Sequence, residues 1–268
     1  MLPTFTLFGR TIGLYPLFGV LGVFAAGIYA CRAAKKQGYD DNDMIVLLLI
    51  SAIGVLLGSH LLYGLTNFQL MVDFFTGLPK LGSFREFIEG AVLVFGGSVY
   101  YGGIIGGMAA GALYIRHRKF SFPVCTDLIA PAVPLFHVFG RIGCFMGGCC
   151  YGVACKWGIT YHNALTPDAN GVARFPVQLV EAVFNLGLFF ALDALRRRGK
   201  FQGKLFCLYL IAYSIGRFIL EFWRGDAIRG FVLGLSTSQF ISILLLVGTL
   251  IFMGAKGLLR RPNQAPKF

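Results

Sequence analysis

"LYLIAYSIGRFILEFWRGD", residues 208–226, is apolar almost throughout, yet Tyr209, Tyr213, Arg217 and Glu221 recur in it at intervals of four. In a helix that spacing sets the four side chains along one face. An ionised side chain near the middle of a membrane-spanning helix costs about 2.5–3.5 kcal/mol on insertion scales, so each such residue calls for a partner or a function. The stretch therefore reads as a greasy helix carrying one polar stripe.

The whole chain shares this character. Its 268 residues are 56% hydrophobic and only 13% charged, and the mean hydropathy is +0.71. That composition excludes an ordinary water-soluble domain. Segments of about 20 apolar residues cross a bilayer as helices, because every backbone N–H and C=O must find a partner within the segment. Seven spans are expected, at 13–33, 44–64, 87–115, 126–145, 177–195, 204–223 and 239–259. The predicted fold class is thus an all-α, polytopic integral membrane protein, treated as a single transmembrane domain over residues 1–268.

Lysine and arginine gather in alternate connections: Arg32, Lys35 and Lys36; Arg116, Arg118 and Lys119; Arg196, Arg197, Arg198, Lys200 and Lys204; and Lys256, Arg260, Arg261 and Lys267. By the positive-inside rule these connections are cytoplasmic, which places the N-terminus outside and the C-terminus inside. The net charge of +12 follows from this asymmetry and its attraction to anionic lipid headgroups, with no nucleic-acid partner implied. The opening residues lack a basic segment, a short apolar stretch and a small-residue cleavage site, so no removed signal peptide is expected.

Polar residues in other spans repeat the theme of 208–226. A rise of 1.5 Å per residue puts Arg217 about 20 Å above the cytoplasmic end of its span and Arg141 about 21 Å up another. Gln178, Glu181 and Asn185 share a face near the outer end of the next span, behind Pro176, and His137 precedes Arg141 by one turn. Depth and facing point to one outer-leaflet cavity holding Arg141, Arg217, Glu221, Glu181, Gln178, Tyr213 and His137. The alternative is a network in which Arg217 pairs with Glu221 or Glu181 and only holds helices together. Two guanidiniums facing phospholipid suit a phosphate, which accepts paired hydrogen bonds from the planar fork of arginine. A lipid-modifying transferase fits.

Two further stretches stand out. "FGGSVYYGGIIGGMAAG", residues 95–111, repeats small residues four apart, including Gly102 with Gly106 and Gly103 with Gly107. That pattern permits close helix packing or close approach to a ligand. "GRIGCFMGGCCYG", residues 140–152, places Cys144, Cys149 and Cys150 around Arg141, and Cys155 follows. The spacing is not that of a zinc ribbon. It leaves open close-packed thiols, a disulfide among these four cysteines, and metal or redox chemistry.

Four segments give the chain a resemblance to a known family: "YYGGIIGG" (100–107), "GRIGCFMGGCCYG" (140–152), "FPVQLVEA" (175–182) and "YSIGRFILEF" (213–222). In order and spacing they resemble the H-G-G-L-I-G, G-R-x-G-N-F-x-N-x-E-x-x-G, P-x-Q-L-Y-E and Y-x-x-x-R-F-x-x-E segments of prolipoprotein diacylglyceryl transferases, bacterial inner-membrane enzymes with seven transmembrane helices. The resemblance implies transfer of diacylglycerol from phosphatidylglycerol to the cysteine thiol of a lipobox-containing prolipoprotein. Glycerol 1-phosphate is released, and no metal or cofactor is required.

By the same resemblance Arg141 and Arg217 contact the headgroup phosphate, and Glu181, Tyr213 and Glu221 help form the cavity. Gln178, Gly102 and Gly103 join the substrate-binding set. His137, Glu221 or Tyr101 assists deprotonation of the incoming thiol, a poor nucleophile until ionised. The chain departs from the family pattern at Tyr101, where histidine is usual, at Ile12, where tyrosine is typical, and at Cys144, Gly147 and Cys149, which replace asparagine, asparagine and glutamate. Two other classes compete. A membrane thiol oxidoreductase would use the cysteines but lacks a C-x-x-C pair, and a transporter would show internal repeats, which are absent from the sequence.

Overall fold

The computed structural model of the chain describes residues 3–78, 82–226 and 230–258. Arg260, Arg261, Lys267 and the end of the last expected span at Leu259 lie outside the described residues. The structure is predominantly helical and divides into two compact units, Met1–Ala33 with Pro123–Phe268, and Ala34–Phe122. Six helical stretches among the described residues are long and apolar enough to cross a membrane: Leu14–Lys36, Asp41–Thr66, Phe122–Gly147, Val177–Arg197, Leu205–Trp223 and Thr237–Ala255. Each coincides with an expected span. Many large apolar side chains on them face outward, as Val23 and Phe24, Leu56 and Leu57, and Ile251 and Phe252 do, which is the surface that lipid tails require.

The first unit begins with a hairpin of β1 (Thr4–Leu7) and β2 (Arg10–Gly13). Phe8 and Gly9, with φ of 49° and 74°, make its two-residue turn, the left-handed pair that matches the twist of a tight hairpin. Helix α1 (Leu14–Lys36) follows, and its Gly22 lies against Phe136 and Phe139.

In the second unit α2 (Asp41–Thr66), α3 (Phe68–Gly77), α4 (Phe84–Phe95) and α5 (Tyr100–His117) pack together. The third expected span, 87–115, is here two helices, α4 and α5, broken at Gly96–Val99. The break has a built partner: His60 Nδ1 lies 2.7 Å from Phe95 O and 2.8 Å from Gly97 O, and the Val99 N–H donates to Ser59 O. Carbonyls that the end of α4 leaves unpaired are thus met by a ring N–H from α2.

Helices α2 and α5 meet backbone to backbone. A Cβ at Gly54 would sit 2.5 Å from Gly106 O, and one at Gly58 would overlap Gly102 O. Without a hydrophobic drive between helices in lipid, such close approach is what holds them. Gly58→Val is expected to cost about 1–3 kcal/mol through overpacking, read as a lower melting temperature in detergent. Gly19, with nothing within 4 Å of its Cβ position, is the control, and Gly19→Ala should melt like the parent. Equal melting of the two variants would refute the close-packing account.

The remainder of the first unit is α6 (Phe122–Ile129), α7 (Ala132–Gly147), α8 (Val177–Arg197), α9 (Leu205–Leu220) and α10 (Thr237–Ala255). Contacts run from α7 to α8, α8 to α9 and α9 to α10. Between α7 and α8 stands the hairpin of β3 (Ala154–Thr160) and β4 (Ala173–Arg174). Between α9 and α10 stands that of β5 (Phe231–Val232) and β6 (Leu235–Ser236). Asp127 on α6 accepts the backbone N–H of Leu205 at 2.9 Å and that of Gly203, so it caps the start of α9. At the other end of the α8–α9 hairpin, away from this cap and from Arg196–Arg198, lie Glu181 and Arg217.

Candidate active site

Helix α7 stops at Gly148, whose φ of 69° and backbone N–H bond to Phe145 O form a left-handed C-cap. The last full turns before that stop carry His137, Arg141 and Cys144. Helix α8 starts at Val177 after Pro176, which cannot donate a backbone hydrogen bond and so suits a helix entry. Its first three turns bury Gln178, Glu181 and Asn185, with Glu181 2% exposed. Arg141 Nη2 lies 2.9 Å from Glu181 Oε1. Both Glu181 oxygens nevertheless lack an aligned hydrogen-bond donor among the described residues, so the pair is a charge contact rather than a closed fork.

Helix α9 brings the polar stripe of residues 209–221 to the same place. The Tyr213 phenol lies against Arg141, and its ring centroid is 5.3 Å from that of His137. Tyr209 OH is 3.4 Å from His137 Nδ1, a long contact. Arg217 Nη2 is 2.6 Å from Glu221 Oε2 and donates to Ser238 Oγ at 2.9 Å. Glu181 and Arg141 are both within electrostatic range of Arg217. Its second terminal nitrogen, Nη1, is buried without a hydrogen-bond partner among the described residues.

Several members of the cluster were not anticipated. Arg224, with its side chain 3% exposed, forms a fork with Asp226 through Nε–Oδ1 at 2.9 Å and Nη2–Oδ2 at 2.7 Å. Burial opposes its charge, but the Asp226 carboxylate outweighs burial and holds the guanidinium protonated more firmly than usual. Arg224 Nη1 is also buried and without a hydrogen-bond partner among the described residues. Ser236, the N-cap of α10, donates Oγ–H to Glu221 Oε1 at 2.9 Å, while its backbone N–H and that oxygen exchange bonds with Gln239 in a capping box. The spacing 217, 221, 224 was a readable signal for Arg224, since it keeps one helical face. The serines lie on a different helix and carry no such signal.

Three guanidiniums, from Arg141, Arg217 and Arg224, thus stand among three carboxylates, from Glu181, Glu221 and Asp226. A neutral array of this kind tolerates burial, and its unpaired N–H groups can donate to one more anionic oxygen. Gln178 is committed to the fold at this end: its Nε2 donates to Cys149 O at 2.8 Å and its Oε1 accepts from Tyr161 OH at 3.1 Å. Burial pushes the Tyr161 phenol up from its ordinary value, which keeps it a donor to Gln178.

Tyr101, Gly102 and Gly103 belong to the second unit, where Gly102 packs on Gly58 and Leu62, and Gly103 on Val55. All seven cysteines are described and all are thiols, with none in a disulfide. Cys144, Cys149 and Cys150 place their sulfurs within 4.8 Å of one another, and Cys155 is not in that group.

These features define a multi-pass membrane protein with an arginine-rich polar cluster buried among its helices. The profile of the prolipoprotein diacylglyceryl transferase family matches residues 3–255, and the chain belongs to that family. It is similar to the phosphatidylglycerol–prolipoprotein diacylglyceryl transferase of Clostridium tetani, at 36% identity over 92% of this chain and 95% of the relative. It is also similar to phosphatidylglycerol–prolipoprotein diacylglyceryl transferase 2 of Clostridium perfringens, at 34% identity over 97% of each. A Campylobacter curvus relative of the same name is 33% identical over 92% of this chain and 90% of its own length.

Proposed function

We propose that the chain transfers the diacylglyceryl group of phosphatidylglycerol to the cysteine thiol of a prolipoprotein, at the cluster centred on Arg141 and Arg217. The observation that carries this reading is the buried Arg217, which holds Glu221 and Ser238 with one nitrogen and keeps Nη1 without a hydrogen-bond partner among the described residues. Arg141 supplies a second guanidinium from another helix, braced by Glu181 and Tyr213.

In the reaction the thiol gives up its proton and its sulfur attacks the glyceryl carbon next to the phosphate. The C–O bond to phosphate breaks, and glycerol 1-phosphate departs with the electron pair. The phosphate gains negative charge as this bond breaks, so guanidinium donors bind the transition state more tightly than the ground state. Glu221, engaged by Arg217 and Ser236, serves as an orienting anion. His137, beside Tyr209 and Tyr213, is the imidazole of the cluster and takes the thiol proton. The cluster sits at the ends of α8 and α9 remote from Arg196–Arg198, and the reading of the basic connections as cytoplasmic supports a position in the outer leaflet of the bacterial inner membrane.

The test is transfer from phosphatidylglycerol in mixed micelles to a lipobox peptide, followed by the mass gain of the peptide. With the parent protein the diacylglyceryl adduct and glycerol 1-phosphate should appear in equal amounts. His137→Phe, which keeps the ring packing, should slow transfer about a hundredfold, within the usual range for loss of a general base. Absence of adduct with the parent protein would overturn the reading, and full activity in His137→Phe would remove the histidine from it.

A further inference from the structure

We infer that Cys144, Cys149 and Cys150 form a binding site for one thiophilic d10 metal ion, of the Zn(II) or Cu(I) type, that fastens the turn after α7. The three sulfurs lie within 4.8 Å of one another. Three thiolates around one ion, each at about 2.3 Å, stand about 4.0 Å apart, so small side-chain rotations close the site. Its donors are all sulfur, which selects soft cations over Mg2+ or Ca2+.

The backbone is shaped to gather these thiols. Cys144 ends α7, Gly148 reverses the chain at φ 69°, and Cys150 also adopts a left-handed φ of 57°. A non-glycine residue in that region costs energy and persists where surrounding structure demands it. Here the demand is visible: Gln178 on α8 holds Cys149 O, and Arg224 after α9 lies against Cys150. Binding of Zn(II) by three thiols would release three protons to solvent and leave a centre of net charge −1, which the Arg224 guanidinium offsets. The ion would then tie α7, with its Arg141, to the two elements that carry Glu181 and Arg217. No step of the transfer reaction passes through it, so the inference stands or falls apart from the transferase reading.

The test loads protein purified in detergent and reductant with Zn(II) in one arm and Cu(I) in another, removes loose metal, and measures bound metal by mass spectrometry alongside alkylation of each cysteine. The expected result is about one ion per chain in at least one arm. Alkylation of Cys144, Cys149 and Cys150 should slow together by about tenfold or more, as thiolates held by a metal lose reactivity, while that of Cys155 is unchanged. Cys149→Ser and Cys150→Ser should lose most of the bound metal and Cys155→Ser should keep it. Retention no greater in the parent than in Cys149→Ser, or alkylation of the three thiols indifferent to both metals, would overturn the inference. The alkylation pattern is read on the parent chain, so it decides the matter even if a serine variant misfolds.

Discussion

Arg217→Ala is expected to lower diacylglyceryl transfer by at least about a hundredfold, the usual loss when a preorganised donor to a developing anion is removed. The guanidinium touches Glu221 and Ser238 and is 7% exposed at its side chain, so no solvent cation can take its place. Arg217→Lys keeps the positive charge but not the planar fork and should recover only a minor part of the rate. Because the alanine variant also takes from Glu221 its nearest counter-charge and leaves it Arg224 at 3.9 Å, its folding must be read separately. Arg217→Ala with Glu221→Gln removes the carboxylate charge and should melt closer to the parent while remaining inactive. Full transfer activity in Arg217→Ala would show that the phosphate is held elsewhere.

The second large effect belongs to Arg141. Glu181 is 2% exposed and Arg141 Nη2 stands 2.9 Å from it, so Arg141→Ala leaves a buried carboxylate without its nearest counter-charge. Breaking a buried pair from one side costs about 3–5 kcal/mol, expected as a marked fall in melting temperature together with lost transfer. Glu181→Gln in the Arg141→Ala background should restore most of the stability and none of the activity. The double variant separates the two roles of Arg141. Restored activity would make the arginine a brace for Glu181 and nothing more.

The parts of this molecule that the sequence made legible share one property: their signal lies within a single helix. The membrane class, the six long helices and the stripe through Arg217 and Glu221 follow from hydropathy and a period of four. The joining of Arg141 to Glu181 was anticipated from depth and facing because both positions lie near helix ends of known direction. Ser236 and Ser238 escaped notice because their relation to Glu221 and Arg217 is made by a hairpin return, β5–β6, that places the start of α10 beside the end of α9. The break between α4 and α5 was hidden because Gly96, Gly97 and Ser98 read as small packing residues, and its stabilising contact comes from His60 on another helix. Gln178 looked like a ligand-facing residue because its face is right, whereas its amide is taken up by Tyr161 and Cys149.

The serine cap of α10 links two things that are usually considered apart. Ser236 begins a helix through its box with Gln239 and in the same position restrains Glu221, while two residues on, Ser238 accepts from Arg217. Any sideways swing of α10 at this end must therefore loosen both members of the Arg217–Glu221 pair at once. The helix start thus works as a fastening on the ion pair, in which one hydroxyl, that of Ser236, serves helix capping and the Glu221 carboxylate together.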